Sequence, residues 1–576
     1  MTRLANDPAR FAEQSAAGFA RAFGAWVRPV PGGVARRTED PSPRVALVVG
    51  GGSGHYPAFA GLVGPGLAHA AAMGDVFASP SAQQVHSVAR AAQRGQGVLL
   101  SYGNYAGDVL NFDQAQARLR AEGIPCQTVL VTDDISSAPP EARALRRGIA
   151  GGLVVYKVAG AACAEGRPLD EVARLARRAN DRTRTLGVAF GGCTLPGAGE
   201  PLFGVPAGRM AVGMGIHGEP GIEEAEVPTA AELAGRLVDA LLGELPDDLP
   251  AARGARAVAI LNGLGAVKYE ELFVLYEAVA ARLDAAGVHI VEPEVGELVT
   301  SLDMAGVSLT ICWLDGELEP LWRAAADTPA YRKGSLTPAA EPSTVDVTGE
   351  PVTRTGEIVS APDAGRRGAA AVRDALAAAV GALDAHGDHL GRLDAVAGDG
   401  DHGLGMGRGA RAALAAAERV VAAGGGTGTA LRQAGEAWAD RAGGTSGALW
   451  GVGLEALAGV VGDKAEPDAA TLALAVAAAT DAIVDAGGAK VGDKTMVDAL
   501  VPFRDAFEAA APEGVRGALA AAVPAAERAA RATAAMLPRL GRARPHGERS
   551  RGTPDPGATS LALVLRAVLD TVEDQA

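Results

Sequence analysis

The sequence predicts an α/β N-terminal domain of two α/β subdomains over residues 1–333, a linker over 334–362, and an all-α domain over 363–576. Three observations predict this. Short apolar runs ending in glycine alternate with helical stretches over the first half, the pattern of α/β layering. Between Arg332 and Asp363 the periodicity stops, and Pro338, Pro342, Pro351 and Pro362 punctuate a polar stretch. From Gly365 the chain is Ala-rich, with Val372, Leu376, Val380 and Leu383 at helical spacing and no strand pattern.

In chain order, a helix over Pro8 to Trp26 leads through a Pro/Gly-rich connection to Arg44-Val-Ala-Leu-Val-Val49. That run reads as a buried parallel strand feeding a ligand loop. Similar runs follow at Gly97–Tyr102, Gln127–Val131, Arg209–Ile216, Arg256–Leu261 and Val307–Ile311. Helices are expected between them, among others over Ser81–Arg94 and Leu169–Thr185.

At 576 residues the chain exceeds one hydrophobic core. With 48% apolar and 21% charged residues it reads as soluble and globular. A formal charge of −15 argues against nucleic acid or an anionic membrane as partner, while leaving ATP open, because Mg²⁺ and backbone dipoles meet its charge locally. Cys126, Cys163, Cys193 and Cys312 show no metal-ligand or redox spacing, so reduced, buried thiols are expected. The N-terminus has no signal-peptide pattern and no apolar run reaches membrane-spanning length, so a cytoplasmic protein is expected.

The densest chemistry lies in Leu393-Asp-Ala-Val-Ala-Gly-Asp-Gly-Asp-His-Gly-Leu-Gly-Met406, where Asp394, Asp399 and Asp401 fall on a Gly-rich turn between two helices, the second expected to begin near Met406. Crowded carboxylates repel unless a hard cation sits among them, and Mg²⁺ prefers oxygen ligands. Glycines admit a phosphate close to the backbone. An isolated Asp-Gly-Asp is more often a solvated turn; Asp394 on the preceding helix end favours a Mg²⁺ site that holds a nucleotide.

In the first half, Gly50-Gly-Gly-Ser-Gly-His55 follows a buried strand, where open α/β sheets bind ligands. It lacks the Gly-Lys-Ser/Thr of a Walker loop. Gly103-Asn-Tyr-Ala-Gly-Asp108 and His217-Gly-Glu-Pro-Gly221 repeat the arrangement. Singly, Asp108 reads equally as a helix cap and His217 as a turn residue. Together His55, Asp108 and His217 form an acid/base and nucleophile set. In the second half, Gly443-Gly-Thr-Ser-Gly447 precedes a helix, as an anion site would. The loop Asp485 to Met496 is a further Gly-rich connection, and Asp555-Pro-Gly-Ala558 precedes a final helix with Arg542 upstream. Helix C-caps explain single glycines; loops converging on one nucleotide explain all of them.

Seven motifs in this order resemble the ATP-dependent dihydroxyacetone kinases that fuse a ketose-binding K domain to a nucleotide-binding L domain. They are Gly50–His55, Asn104–Phe112, Gly215–Gly221, Gly398–Asp401, Gly443–Gly447, Gly492–Met496 and Asp555–Gly557. The resemblance implies a kinase acting on a short-chain ketose, dihydroxyacetone or a C4 ketose such as D- or L-erythrulose. His217 would form a hemiaminal with the ketone, His55 and Asp108 would act on the reacting hydroxyl, and Gly52, Ser53 and Gly54 would hold the sugar. It further implies that Asp394, Asp399 and Asp401 bind Mg²⁺ and that His402, Gly403, Leu404, Gly405, Thr445 and Ser446 contact ATP phosphates. Gly487, Met496, Arg542, Asp555, Pro556 and Gly557 would enclose the nucleoside. The L domain is expected to be a helical barrel and the protein a homodimer.

The departures from the family pattern cluster at the sugar site. The usual Glu-Pro-Ala-His is Tyr56-Pro-Ala-Phe59, and the usual lysine before the Asn-Tyr motif is Gly103. Both point to an altered substrate, a four-carbon ketose. After Gly541-Arg-Ala543, Arg544-Pro545 replaces the usual Ser-Tyr. Two other readings accompany the kinase: a non-catalytic regulator, disfavoured by the intact His55, Asp108, His217 and aspartates, and a cyclising FAD-AMP lyase side activity on the same L-domain site.

Overall fold

The computed structural model describes residues 4–38, 42–334, 358–541 and 544–574. Most of the expected linker therefore lies outside the described residues, as does Arg542. The chain divides into two compact units, one before that stretch and one after it.

The first unit is built on two sheets. The N-terminal one comprises β1 (Val27–Val30), β2 (Gly33–Arg36), β3 (Arg44–Ser53), β4 (Ala70–Val76), β5 (Gly95–Gly103) and β6 (Cys126–Val131), in the order β1-β2-β4-β3-β5-β6. β4, β3, β5 and β6 are mutually parallel, as the apolar runs predict. The second sheet comprises β7 (Thr183–Ala189), β8 (Arg209–Val212), β9 (Glu223–Glu226), β10 (Arg256–Gly263), β11 (His289–Ile290), β12 (Glu294–Gly296) and β13 (Gly306–Trp313). Its order is β11-β10-β13-β7-β8-β9, with β12 also on β10. Here the reading of parallel strands is corrected: β10, β13, β7, β8 and β9 pair antiparallel. β13 is buried at all eight positions because helices cover one face and the first sheet's helices the other, so its run is continuous whichever direction it takes.

Helices Gly152–Ala164 and Leu169–Asp181 lie between the sheets. One apolar core joins Leu47 and Val49 of β3 and Ile260 and Cys312 of the second sheet to Leu153, Val155 and Leu175 of these helices. The helix Gly152–Ala164 is buried from Gly152 to Cys163 and so has no polar face. The second helix ends at Asp181, short of the expected Thr185, because β7 begins at Thr183. The first helix, Phe11–Ala22, and the helix Ala82–Ala92 fall inside their expected spans.

The second unit has no strand among its described residues, and its α-helices there are Asp363–Asp394, His402–Ala422, Thr427–Ala442, Gly444–Val461, Ala469–Gly487, Val497–Ala510, Gly514–Ala532 and Pro556–Asp574. Each packs on its neighbour in sequence, and the last packs back on the first, which closes a ring. Abundant alanine permits these close approaches. At Gly403 a Cβ would lie 2.1 Å from the carbonyl oxygen of Gly387, so only glycine lets those helices cross there. In an up-and-down ring every second connection lies at the same end. The connections after Asp394, Ala442, Gly487 and Ala532 therefore share one rim, and these are the loops that carry the candidate metal and nucleotide residues. Against the expectation from apolar runs, the helix Ala469–Gly487 is long and apolar enough to cross a membrane by length and composition; it packs within this ring against Gly444–Val461 and Val497–Ala510.

Candidate active site

In the first unit, a cavity opens where the carboxyl ends of β3 and β5 meet the loop after β8. Gly52, His55, Gly103, Asp108, Ile149 and His217 are among its lining residues, with Phe59, Leu62, Leu153, Tyr156 and Val299 forming an apolar wall. Asp133, fully buried, accepts from the amides of Ile149 and Gly151 at 2.8 Å each and from the Thr185 hydroxyl, which pins one wall of the cavity to the second sheet.

His55 and His217 meet here. Their Nε2 atoms lie 3.0 Å apart, with the rings nearly perpendicular. His55 Nδ1 lies 2.8 Å from the carbonyl oxygen of Thr300, which can only accept, so Nδ1 carries a hydrogen. His217 Nδ1 faces Glu219 Oε1 at 3.2 Å, and Glu219 Oε2 also accepts from the His217 amide at 3.0 Å. With both Nδ1 atoms as donors, a hydrogen bond between the two Nε2 atoms requires one further proton on the pair. The counter-charge is Glu219, which is buried. Burial acts to raise its pKa, but His217 and then Arg147, 3.8 Å away, outweigh it and hold the carboxyl well below the usual range. Arg147 is itself held by Asp134 at 2.8 Å.

Aromatic rings fix the pair from the sides. Phe77 stacks on His55 at 5.0 Å between centroids, and Tyr105 meets His217 edge-on at 4.7 Å. Burial, with Glu219 nearby, pushes the Tyr105 phenol up, so it stays protonated and donates to the Gly148 carbonyl at 3.0 Å. The Tyr105 ring occupies the space a side chain at Gly103 would need: a Cβ there would lie 3.0 Å from the ring. Asp108 is buried in the first turn of the helix Ala106–Ala121, where the helix dipole favours a carboxylate.

In the second unit, Asp394 ends one helix and Asp401 immediately precedes the next, whose first residue is His402, earlier than the expected Met406. One oxygen from each of Asp394, Asp399 and Asp401 lies within 4.8 Å of the others. Three carboxylates and no nitrogen or sulfur donor are the set a hard divalent cation such as Mg²⁺ takes. Asp394 Oδ2 accepts from the Gly400 amide at 2.9 Å, so one of the three carboxylates closes the turn that carries the other two. Thr445 and Ser446 sit in the first turn of Gly444–Val461, entered through Gly443 and Gly444 at φ of +63° and +60°. Across the rim, Asp555 caps the last helix, accepting from the Ala558 amide at 2.7 Å. Enclosure, with Asp498 and Asp394 nearby, pushes Asp555 up to about 7. A Cβ on Gly557 would lie 3.5 Å from that of Met496, so these two loops touch.

The Dak1 domain family matches residues 17–330 and the DAK2 domain family residues 396–570. The chain is 55% identical to an L-erythrulose kinase of Pectobacterium atrosepticum, over 99% of this chain and 96% of that one. It is 53% identical to a D-erythrulose kinase of Mycolicibacterium smegmatis, over 99% of both. The dihydroxyacetone kinase from C. freundii, solved in complex with AMP-PNP and Mg²⁺, matches at a TM-score of 0.52 and 30% identity, over 98% of this chain and 99% of that one. This chain is a ketose kinase of the dihydroxyacetone kinase family.

Within the kinase, the candidate residues divide. His55, Asp108, His217 and Gly52 line the cavity. Ser53 instead donates its hydroxyl to the Gly74 carbonyl at 2.7 Å, and Gly54, at φ +102°, packs on Phe77. The His402 ring is buried with Nε2 2.9 Å from Ser560 Oγ, so among its polar groups the backbone faces the turn, its amide 3.4 Å from Asp394. Gly403 meets Gly387 as described, Leu404 is exposed, and Gly405 donates its amide to the Asp401 carbonyl. Gly487 ends its helix where a Cβ would lie 3.4 Å from Leu449. Met496 is buried at the start of Val497–Ala510, and Pro556 opens the last helix. Sequence reasoning passed over Glu219, Arg147, Thr300, Phe77 and Ser560. Glu219 lies two residues from His217 inside Gly215–Gly221, and a carboxylate that close in sequence is the signal for what holds the imidazole; the others act from distant segments.

Proposed function

We propose that this kinase transfers the γ-phosphoryl group of ATP to a primary hydroxyl of a four-carbon ketose, erythrulose, held through its ketone as a hemiaminal on His217. The observation that carries the covalent step is the pairing of His55 and His217 at 3.0 Å with both Nδ1 atoms already donating. With the further proton on His55, His217 Nε2 has its lone pair available and attacks the ketone carbon. An N–C bond forms, the carbonyl π pair moves to oxygen, and that oxygen takes the proton from His55 Nε2. His217 then carries the positive charge, balanced by Glu219, and His55 is left neutral. In that state His55 Nε2 is free to accept the proton of the hydroxyl to be phosphorylated, with Asp108 orienting that hydroxyl. An alcohol without a carbonyl cannot enter this sequence.

On the second unit, Asp394, Asp399 and Asp401 would hold Mg²⁺, and the Thr445–Ser446 turn would lie on the phosphates. Bound there, Mg·ATP supplies the phosphoryl group with its charge neutralised; the protein contributes position and charge. The identity to erythrulose kinases over the whole chain supports a four-carbon ketose. ADP release measured on both erythrulose enantiomers, dihydroxyacetone and glycerol tests the proposal. Erythrulose should be turned over best and glycerol hardly at all. Glycerol turnover equal to that of the ketoses would rule out the covalent step.

A further inference from the structure

The motif Gly492-Asp-Lys-Thr-Met496 contains a lysine in a nucleotide-type loop, yet its ammonium faces protein. Lys494 is buried, and its Nζ donates to the Ser550 carbonyl at 2.6 Å, the Ser550 hydroxyl at 3.3 Å and the Met536 carbonyl at 3.3 Å. An ammonium has three N–H bonds, so none remains for a phosphate. The backbone there is left-handed, φ +61°, a conformation that costs a non-glycine residue free energy and persists only when its surroundings impose it. They do: Asp498 accepts from the Gly492 amide at 2.6 Å and the Thr495 amide at 2.7 Å, gripping the turn on both sides of Lys494.

Met536 and Ser550 lie on two limbs of the chain that run side by side. Gly552 donates its amide to the Ala534 carbonyl at 2.8 Å, and the Asp555 amide donates to Thr533 Oγ1 at 2.8 Å. The Arg539 amide reaches the Asp493 carbonyl at 3.1 Å. Lys494 thus fastens its own loop, which carries Met496, to both limbs, the second of which carries Asp555–Gly557. We propose that Lys494 is a positioning residue for the nucleotide: it sets the distance between Met496 and Asp555–Gly557 and so shapes the nucleoside end of the ATP pocket without touching ATP. This rests on the assignment of the second unit's rim to ATP.

The test compares full-length Lys494→Met and Lys494→Asn with the wild type. Asn accepts left-handed backbone readily, so Lys494→Asn keeps the turn while removing the ammonium and most of its stem. Both should raise the KM for ATP and weaken binding of Mg·AMP-PNP in calorimetry by about tenfold or more, since two carbonyls lose a charged donor. The KM for the ketose and kcat at saturating ATP should stay within about twofold of wild type, a split that general unfolding would not give. An unchanged KM for ATP in folded Lys494→Asn overturns the proposal, as does a collapse of kcat at unchanged KM, which would put the ammonium on the transferring group. Asp401→Asn is measured alongside. If it abolishes AMP-PNP binding while the Lys494 variants bind normally, only the positioning role fails; if it binds AMP-PNP like the wild type, the assignment of the rim itself fails.

Discussion

His55 and His217 stand 162 positions apart in the chain and 3.0 Å apart at their Nε2 atoms. Each has its other ring nitrogen held by an acceptor, which leaves the two Nε2 atoms facing each other. Removing either ring should separate its functions. His217→Ala should abolish saturable ketose binding while Mg·AMP-PNP binding, read by calorimetry, is unchanged. His55→Ala should keep weak ketose binding and lose turnover by about a hundredfold or more, the scale of a lost acid/base group. Ketose labelled with ¹³C at the ketone should lose its carbonyl resonance on binding to the wild type and keep it with His217→Ala.

Glu219 makes the ketose site sensitive to acid. Its carboxyl is held below the value of about 4.3 that Glu has in an unfolded chain. A carboxylate depressed in this way adds stability at every pH above that value, and the contribution disappears as pH falls below it. Glu219→Gln should therefore lower the melting temperature at pH 7, and the gap to wild type should narrow below about pH 4. At pH 7 the same variant should reduce kcat/KM for the ketose by about ten- to a hundredfold, the range for losing a charged partner on a positioned ring. The KM for ATP should not change.

The three aspartates of the second unit should act as one metal-binding set. Asp394→Asn, Asp399→Asn and Asp401→Asn should each raise the Mg²⁺ concentration needed for half-maximal activity. Asp394→Asn should also lower thermal stability, because its Oδ2 closes the turn onto Gly400 and an amide there can turn its nitrogen toward that donor. Chelation of Mg²⁺ from the wild type should stop turnover while ketose binding by the first unit persists, as the ¹³C resonance would report.

Gly103 leaves room for Tyr105. A Cβ at that position would lie 3.0 Å from the ring, so Gly103→Ala must push the ring toward His217 or away from Gly148. The expected result is a KM for erythrulose raised about tenfold, with overpacking costing about 1–3 kcal/mol of stability in denaturant titrations. Gly103→Lys should be more severe in both measurements. A lysine tolerated without loss would mean that Tyr105 does not hold His217 in place.

Much of the fold was legible because its signals are local. Glycine-terminated apolar runs marked β3 and β5, and helical spacing after Gly365 marked a region without strands. The aspartate turn reads as a candidate metal site because its three carboxylates fall within eight residues. Strand direction in the second sheet could not be read: β7, β10 and β13 are buried on both faces, and a run such as Arg256–Leu261 looks alike in parallel and antiparallel sheets.

The amino-acid sequence by itself determined which groups could do chemistry: two histidines and an aspartate at strand and helix ends, three clustered carboxylates, and glycines where backbone must approach a ligand. Only the tertiary structure decided what those groups are to each other. The two sheets, packed through the helix Gly152–Ala164, bring His55 onto His217 and Thr300, and the ring of helices sets four connections on one rim. The same packing turned Ser53, the His402 ring and Lys494 toward protein. Propensity and spacing act over a few residues, whereas a hydrogen bond between two imidazoles depends on the relative placement of whole layers, which no local pattern encodes.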